Sequence, residues 1–138
     1  MASALYPKWK QQLIAGDSTA ALTGSGTTGL YCAMVTSSYT YSSAHQYYSS
    51  LAGVTGTDQE ITSVTYTSGT VDGNDVTYTS VTSGSTVNAL VLYRKNAGAN
   101  TTWELVGYLD SANVTGLPAT TNGGNITVTW DAAGIFTL

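Results

Sequence analysis

Few residues of this chain have side chains that carry out catalysis, and they follow no known catalytic motif. His45 is the only histidine and Cys32 the only cysteine, so a zinc site would need Cys32 and carboxylates brought together by the fold alone. Ser42 and Ser43 precede His45, but no Gly-x-Ser-x-Gly segment is present to expose a serine nucleophile. We therefore interpret His45 as a polar or capping residue and Cys32, in its apolar run, as an inert core thiol.

Two groups of acidic and amide side chains could also take part in chemistry. Asp58 and Glu60 alternate at the start of a predicted strand, and a pair of carboxylates is what glycoside hydrolysis uses. Asp72, Asn74 and Asp75 place several oxygen atoms in one tight turn, as Ca²⁺ prefers, but the full calcium-binding loop is absent. We interpret the first group as a solvated loop end and the second as a turn. We expect no enzymatic activity, no cofactor and no metal site.

The tyrosines between residues 39 and 48 are the leading candidates for a binding surface. Thr, Ser, Asn and Gly supply most of the polar surface, and 10 Tyr supply most of the aromatic content. Tyr and Ser bind at low entropic cost in interfaces, and Tyr also stacks on sugars. We predict that the interaction residues of this cluster are Tyr39, Tyr41, Tyr47 and Tyr48. Packing of part of the cluster inside a small β core is the alternative.

Composition and charge exclude several classes of partner. The 138-residue chain has 9% charged residues and a net charge of −4, with a sequence pI near 4.4. Its basic residues form two local pairs, Lys8 with Lys10 and Arg94 with Lys95, so no broad basic face can form. These features argue against binding to nucleic acid or to an anionic membrane. Because no secretion leader and no membrane-spanning apolar run are evident, we expect a protein of the cytosol or of an assembly built there.

The stretch from residue 89 to residue 110 predicts the centre of a sheet. Between Ala89 and Lys95, apolar side chains alternate onto both faces, as expected of a strand covered on both sides. A Gly- and Asn-containing loop then leads to a return strand in which Trp103, Leu105 and Leu109 share one face. We expect a buried antiparallel hairpin that serves as scaffold.

Further strands are predicted on both sides of this hairpin, at residues 30–35, 60–67, 69–81, 126–130 and 135–138. A turn at Asp72–Asp75 separates two of them, and residues 39–51 predict a short helix or an irregular lid over the sheet. Together the patterns predict an all-β fold over residues 30–138, an antiparallel β-sandwich or barrel of about seven strands.

Residues 1–15 predict a short N-terminal helix or arm. Pro7 suits a first helical turn, and the apolar side chains that we predict to make contacts are Leu5, Tyr6, Trp9 and Leu13. The segment could cap one end of the β core or reach a neighbouring subunit. Residues 16–29, rich in Gly, Thr and Ser, predict a flexible connector, which favours an arm. We expect that removal of residues 1–14 leaves a folded domain.

Several segments together resemble a small structural protein of tailed bacteriophages and prophages. They are Leu5–Lys10, Tyr39–His45, Gly69–Tyr78, Ala89–Tyr93 and Gly116–Asp131, of which the last is the most specific. The resemblance covers nearly the full chain and departs from the family pattern at residues 30–35 and in the preceding connector. It implies a virion component without enzymatic activity, assembled in the host cytoplasm.

The resemblance leaves the position in the particle open. A capsid decoration or cement protein would bind and stabilise the major capsid lattice through its N-terminal arm and the edges of its β domain. A tail, collar or fibre component would instead bind a neighbouring tail protein or a host surface glycan. A small hydrolase is a third possibility, which the missing site residues disfavour. The expected partners are the major capsid protein or another virion protein and further copies of the chain, with a trimer as the first expectation.

Overall fold

The computed structural model describes residues 4–138 and shows an all-β protein with a short α-helix. These residues form twelve strands and one α-helix, α1, at Pro7–Ile14. The strands are β1 Ala4–Leu5, β2 Leu30–Val35, β3 Val54–Glu60, β4 Thr65–Thr67, β5 Thr70–Asp72, β6 Val76–Tyr78, β7 Thr86–Val87, β8 Ala89–Arg94, β9 Glu104–Leu109, β10 Ala119–Thr120, β11 Ile126–Val128 and β12 Phe136–Thr137. All pairings are antiparallel, which confirms the predicted class. The strands outnumber the prediction because many of them have only two or three residues.

The main sheet has five strands in the order β1-β9-β8-β2-β3, with β8 in the middle. The predicted central hairpin is confirmed, because β8 and β9 pair directly and are joined by a short loop with a 3₁₀ turn at Asn100–Thr102. Every residue of β9 and all of β8 except Arg94 are buried. Both faces of the sheet centre are therefore covered by other parts of the chain.

A bulge in β9 changes the direction of its side chains. Leu105 pairs with Tyr93, whereas Gly107 pairs with the preceding residue of β8, so Val106 is the extra residue. Since cross-strand partners share a face, the bulge places Leu105 and Leu109 on opposite faces of the sheet. The predicted common face for these two leucines is wrong, because strict alternation cannot anticipate an inserted residue.

Three smaller sheets complete the fold, with strand orders β10-β7, β11-β6 and β12-β5-β4. The Asp72–Asp75 turn does separate two strands, but β5 and β6 belong to different sheets and do not form a hairpin. The strand predicted over residues 60–67 is also divided, because β3 ends at Glu60 and β4 begins at Thr65. The final strand, β12, lies at the edge of its sheet, as predicted.

Residues 39–51 form an irregular lid over the main sheet. The segment contains a 3₁₀ turn at Tyr48–Ser50 and a single bridge from Tyr47 to Glu104 of β9. The backbone N–H of Tyr48 also donates to the carbonyl oxygen of Trp103 at 2.9 Å. Of the two predicted forms, the irregular lid is observed. The only helical structure in residues 39–51 is the single 3₁₀ turn, because the backbone at its start bonds to β9 and to the turn before β9.

The N-terminal segment packs into the fold instead of extending away from it. Ala4 and Leu5 pair with β9, and α1 begins at Pro7 as the sequence predicted. Trp9 is 1% exposed, and its indole Nε1 donates to the carbonyl oxygen of Ala20 at 2.8 Å. Of the two predicted roles, capping the β core is the one that this arrangement supports. No helix within residues 4–138 has the length and apolar character needed to cross a membrane.

The segment that follows α1 is partly ordered by its own hydrogen bonds. Short 3₁₀ turns lie at Ser18–Ala20 and Gly26–Thr28, and Asp17 accepts hydrogen bonds from the Thr19 backbone N–H and hydroxyl. Ala20 and Leu22 are buried. The predicted connector thus contributes to the core around Trp9.

Truncation of the N-terminal segment should destabilise the protein. We expect Trp9→Ala to lower the free energy of unfolding by about 3–5 kcal/mol, because it leaves a large cavity, and deletion of residues 1–14 to cost at least as much. Ile14→Ala is the matched control, since Ile14 is 87% exposed and should change stability by less than about 0.5 kcal/mol. Urea unfolding measures all three. A deletion variant with an unchanged midpoint would show that the segment is a dispensable arm.

Candidate aromatic binding groove

Four aromatic side chains meet in an open groove on the main sheet. Tyr31 of β2 and Tyr93 of β8 are cross-strand partners and therefore share a face. Tyr93 stacks between Tyr31 and Trp103, with centroid distances of 5.7 Å to each and interplanar angles of 29° and 11°. Tyr48, from the lid, sets its edge against Tyr93 at 4.7 Å and Trp103 at 5.3 Å. We call this site the aromatic groove; its volume is about 420 Å³.

Hydrogen bonds hold the two outer rings of the stack. The indole Nε1 of Trp103 donates to the carbonyl oxygens of Asn96 and Gly98, at 3.1 Å and 2.9 Å. The hydroxyl of Tyr31 donates to the carbonyl oxygen of Gly26 at 2.7 Å. Because each ring is tied to a loop at its polar atom and to Tyr93 at its face, the walls of the groove are preorganised.

A bulge in the edge strand β3 brings a carboxylate into the aromatic groove. Thr55 and Gln59 pair with residues of β2 only two apart, so β3 carries extra residues between them. Gly56, within the bulge, has φ +74°, a left-handed conformation that favours glycine, and a Cβ there would also push against Met34 Cε at 2.8 Å. The bulge places Asp58 Oδ2 where it accepts hydrogen bonds from the hydroxyls of Tyr48 and Tyr93, at 2.8 Å and 2.9 Å.

The other oxygen of this carboxylate has no partner within the part of the chain that the structure describes. Asp58 Oδ1 is buried and accepts no hydrogen bond from residues 4–138. Burial raises the pKa of Asp58 above its usual range, although the two tyrosyl hydrogen bonds and the charge of Lys95 act in the opposite direction. The same burial raises the pKa values of Tyr48 and Tyr93, so both hydroxyls stay protonated as donors.

A single cation lies over the rings. Lys95 Nζ is 4.8 Å from the centroid of Tyr31 and 5.1 Å from that of Trp103, which is the geometry of a cation–π contact. Among residues 4–138 this ammonium forms no ion pair. The aromatic groove therefore combines apolar ring surface, one free carboxylate oxygen and one ammonium group with unused donors.

The two carboxylates of the candidate pair have different hydrogen-bond partners. Glu60, the second half of the candidate carboxylate pair, accepts from the backbone N–H of Gly26 at 2.7 Å, whereas Asp58 is tied to the two tyrosines. His45 Nδ1 lies 2.9 Å from the hydroxyl of Tyr39. Within the described residues, no cluster of three or more His, Cys, Asp or Glu could hold a metal ion.

The predicted tyrosine cluster is divided by the fold. Tyr48 lines the aromatic groove, whereas Tyr39 is 5% exposed and its hydroxyl lies 2.7 Å from that of Tyr6. Tyr41 is half-buried, with its ring 5.1 Å from that of Tyr6, and Tyr47 is half-buried beside β9. Only one of the four predicted contact tyrosines therefore reaches the groove.

The predicted contact residues of the N-terminal segment are largely internal. Tyr6 and Trp9 are fully buried, so they cannot meet a partner in this conformation. Leu5 and Leu13 are half-buried and pack against the core. The exposed apolar residue of α1 is instead Ile14, which the helical pattern of residues 5–13 did not single out.

Two further predictions from the sequence agree with the structure. Cys32 is a buried free thiol, and burial raises its pKa to about 12, so the thiol stays protonated at neutral pH. The side chains of the Asp72–Asp75 turn serve structural hydrogen bonds, since Asp75 accepts from the Trp130 backbone N–H and Asn74 donates to Thr62. These contacts agree with the prediction that residues 72–75 serve as a turn between two strands.

The chain matches no protein-family model, no curated protein and no solved structure.

The raised pKa of Asp58 predicts a pH dependence of stability. Because the folded-state pKa lies above that of the unfolded chain, the wild type should lose stability relative to Asp58→Asn as the pH rises from 3 to 7. Asp17→Asn should behave in the opposite way, since hydrogen bonds from Thr19 lower the pKa of Asp17 and its stabilisation is lost as the pH falls. Urea unfolding across this pH range measures both differences. A difference for Asp58→Asn that does not vary with pH would contradict the assignment.

Proposed function

We propose that this chain is a non-enzymatic structural protein of a tailed-bacteriophage virion. In this proposal it decorates the capsid, binding and stabilising the lattice of the major capsid protein after assembly in the host cytoplasm. The sequence resemblance, which spans nearly the full chain, supports the virion role. The partners are the major capsid protein and further copies of the chain, with a trimer as the first arrangement to test.

The observation that supports the decoration role is a pair of exposed apolar side chains on two segments that pack against each other. Ile14, at the end of α1, is 87% exposed, and Leu138 is 59% exposed. Their segments meet where Trp9 packs edge-on against Phe136 of β12, with ring centroids 5.9 Å apart. Because α1 is anchored by buried Trp9, it can present Ile14 to a neighbour without unfolding. We call Ile14 and Leu138 the terminal surface.

The low charge of the chain supports this use of the terminal surface. Charged residues are depleted in the buried parts of protein interfaces, and here they make up only 9% of the chain. A neighbour that covers Ile14 and Leu138 would bury apolar area without having to desolvate many ions. A weakly charged surface of this kind is suited to a broad contact with a neighbouring subunit.

The proposal assigns no reaction to the chain. Asp58 and Glu60, the candidate carboxylate pair for glycoside hydrolysis, accept hydrogen bonds from different groups. A hydrolase would need both to face one bond of the substrate.

The first experiment is to locate the chain by cryo-electron microscopy in particles of the phage that encodes it. Density over the icosahedral shell, with α1 and the terminal surface against the major capsid protein, is the expected result. Density at the neck, tail or fibre would overturn the decoration role and favour a tail component. Particles that lack the chain altogether would overturn the virion role.

A charge placed on the terminal surface should prevent incorporation. We expect Ile14→Asp to lower occupancy in particles by at least about ten-fold, because an ionised carboxylate would lose its hydration in the contact. Ser49→Asp is the matched control, since it adds the same charge at an exposed position of the lid and should leave occupancy unchanged. Quantitative mass spectrometry of purified particles measures occupancy. Equal occupancy for the two variants would exclude Ile14 from the contact.

A further inference from the structure

The aromatic groove holds a set of groups that the proposed structural role does not use. Asp58 Oδ1 lacks a hydrogen-bond partner within residues 4–138, and Lys95 Nζ lies over the rings without an ion pair. Buried acceptors normally have partners, and one that lacks them next to an open groove marks a position for a ligand or an ordered water. Asp58 and Lys95 both line the same 420 Å³ space, a volume in the range of small-ligand sites, and the unpartnered oxygen lies just beneath its surface.

We propose that the aromatic groove binds a neutral saccharide, with a pyranose ring packed against Trp103 and Tyr31 and its hydroxyls bonded to Asp58 and Lys95. A pyranose has an apolar C–H face, which matches half-buried aromatic rings, and a rim of hydroxyls that both donate and accept. A sugar hydroxyl donates to Asp58 Oδ1, which can only accept when ionised. Another hydroxyl accepts from Lys95 Nζ, which can only donate.

The charges in the aromatic groove exclude the other common ligands of aromatic sites. An organic cation would be repelled by the ammonium of Lys95, which lies about 5 Å from two of the ring centroids. An anion such as phosphate would meet the Asp58 carboxylate, and the net charge of −4 opposes its approach. A neutral polyol satisfies both charged groups without adding a third.

The bulge in β3 fixes the position of the Asp58 carboxylate in the aromatic groove. It holds Asp58 between the hydroxyls of Tyr48 and Tyr93, which leaves only one carboxylate oxygen for the ligand. Because the carboxylate and the rings are fixed before binding, little side-chain entropy is lost when the saccharide binds. A single open groove of this kind should bind one sugar ring with a dissociation constant on the order of 1 mM.

Binding can be tested by NMR titration of the folded chain with maltotriose, tri-N-acetylchitotriose and lactose. The indole N–H of Trp103 should shift in a saturable way with at least one of them, whereas those of buried Trp9 and of Trp130 should not. Trp9 and Trp130 thus serve as internal controls for non-specific effects and for folding. If none of the three sugars shifts Trp103 at tens of millimolar, the inference is overturned.

Matched variants separate groove binding from other causes. We expect Asp58→Asn and Lys95→Met to weaken binding at least about ten-fold, the loss typical of one hydrogen bond to a charged group. Asp131→Asn and Lys10→Met make the same chemical changes outside the groove and should leave the affinity within about two-fold. Equal affinity in all four variants would overturn the inference. So would Trp103 shifts that follow protein concentration without sugar, which would identify a contact between copies.

This inference stands apart from the decoration role, because a saccharide site can operate on a head or on a tail protein. Failure of the titration leaves the particle location untouched, and a tail location leaves the groove chemistry untouched.

Discussion

The burial of β8 on both faces is the constraint on which the rest of the structure depends. A strand with apolar residues on both sides can be stable only if two further layers cover it. One face is covered by the lid, whose Tyr39 packs against Tyr108 of β9, and by the N-terminal segment, whose Tyr6 hydroxyl lies 2.7 Å from that of Tyr39. On the other face, the Tyr78 hydroxyl of β6 donates to the Cys32 carbonyl oxygen at 2.7 Å. Trp9 and the short strands of the smaller sheets pack in these two covering layers.

The same pairing produces the aromatic groove. Tyr31 and Tyr93 are adjacent because β2 and β8 are in register, and Trp103 follows because β9 returns beside β8. Bulges then modify this regular frame. One in β9 resets its side-chain alternation, and one in β3 turns Asp58 toward the tyrosines. The groove is therefore a consequence of scaffold geometry and of two local departures from it.

The N-terminal segment shows why a correct local prediction can leave a role undecided. A helix beginning at Pro7 follows from the spacing of its apolar residues, and the structure has it. The spacing is the same whether the apolar side covers the protein's own core or a neighbour, so it could not choose between a cap and an arm. The tertiary structure makes that choice, because Trp9 is buried against Phe136 and its indole N–H donates to the carbonyl oxygen of Ala20.

By itself, the sequence determined the all-β class, the central hairpin, the last strand and the burial of Cys32, because these depend on residue type and short-range period. The candidate site was not readable in this way. Its members come from β2, the lid, β3, β8 and the turn before β9, and no spacing links Asp58 to Tyr93 or Trp103. Only the tertiary structure decided that Tyr48 lines the groove while Tyr39 is buried, because strand register and bulges set which distant residues share a surface.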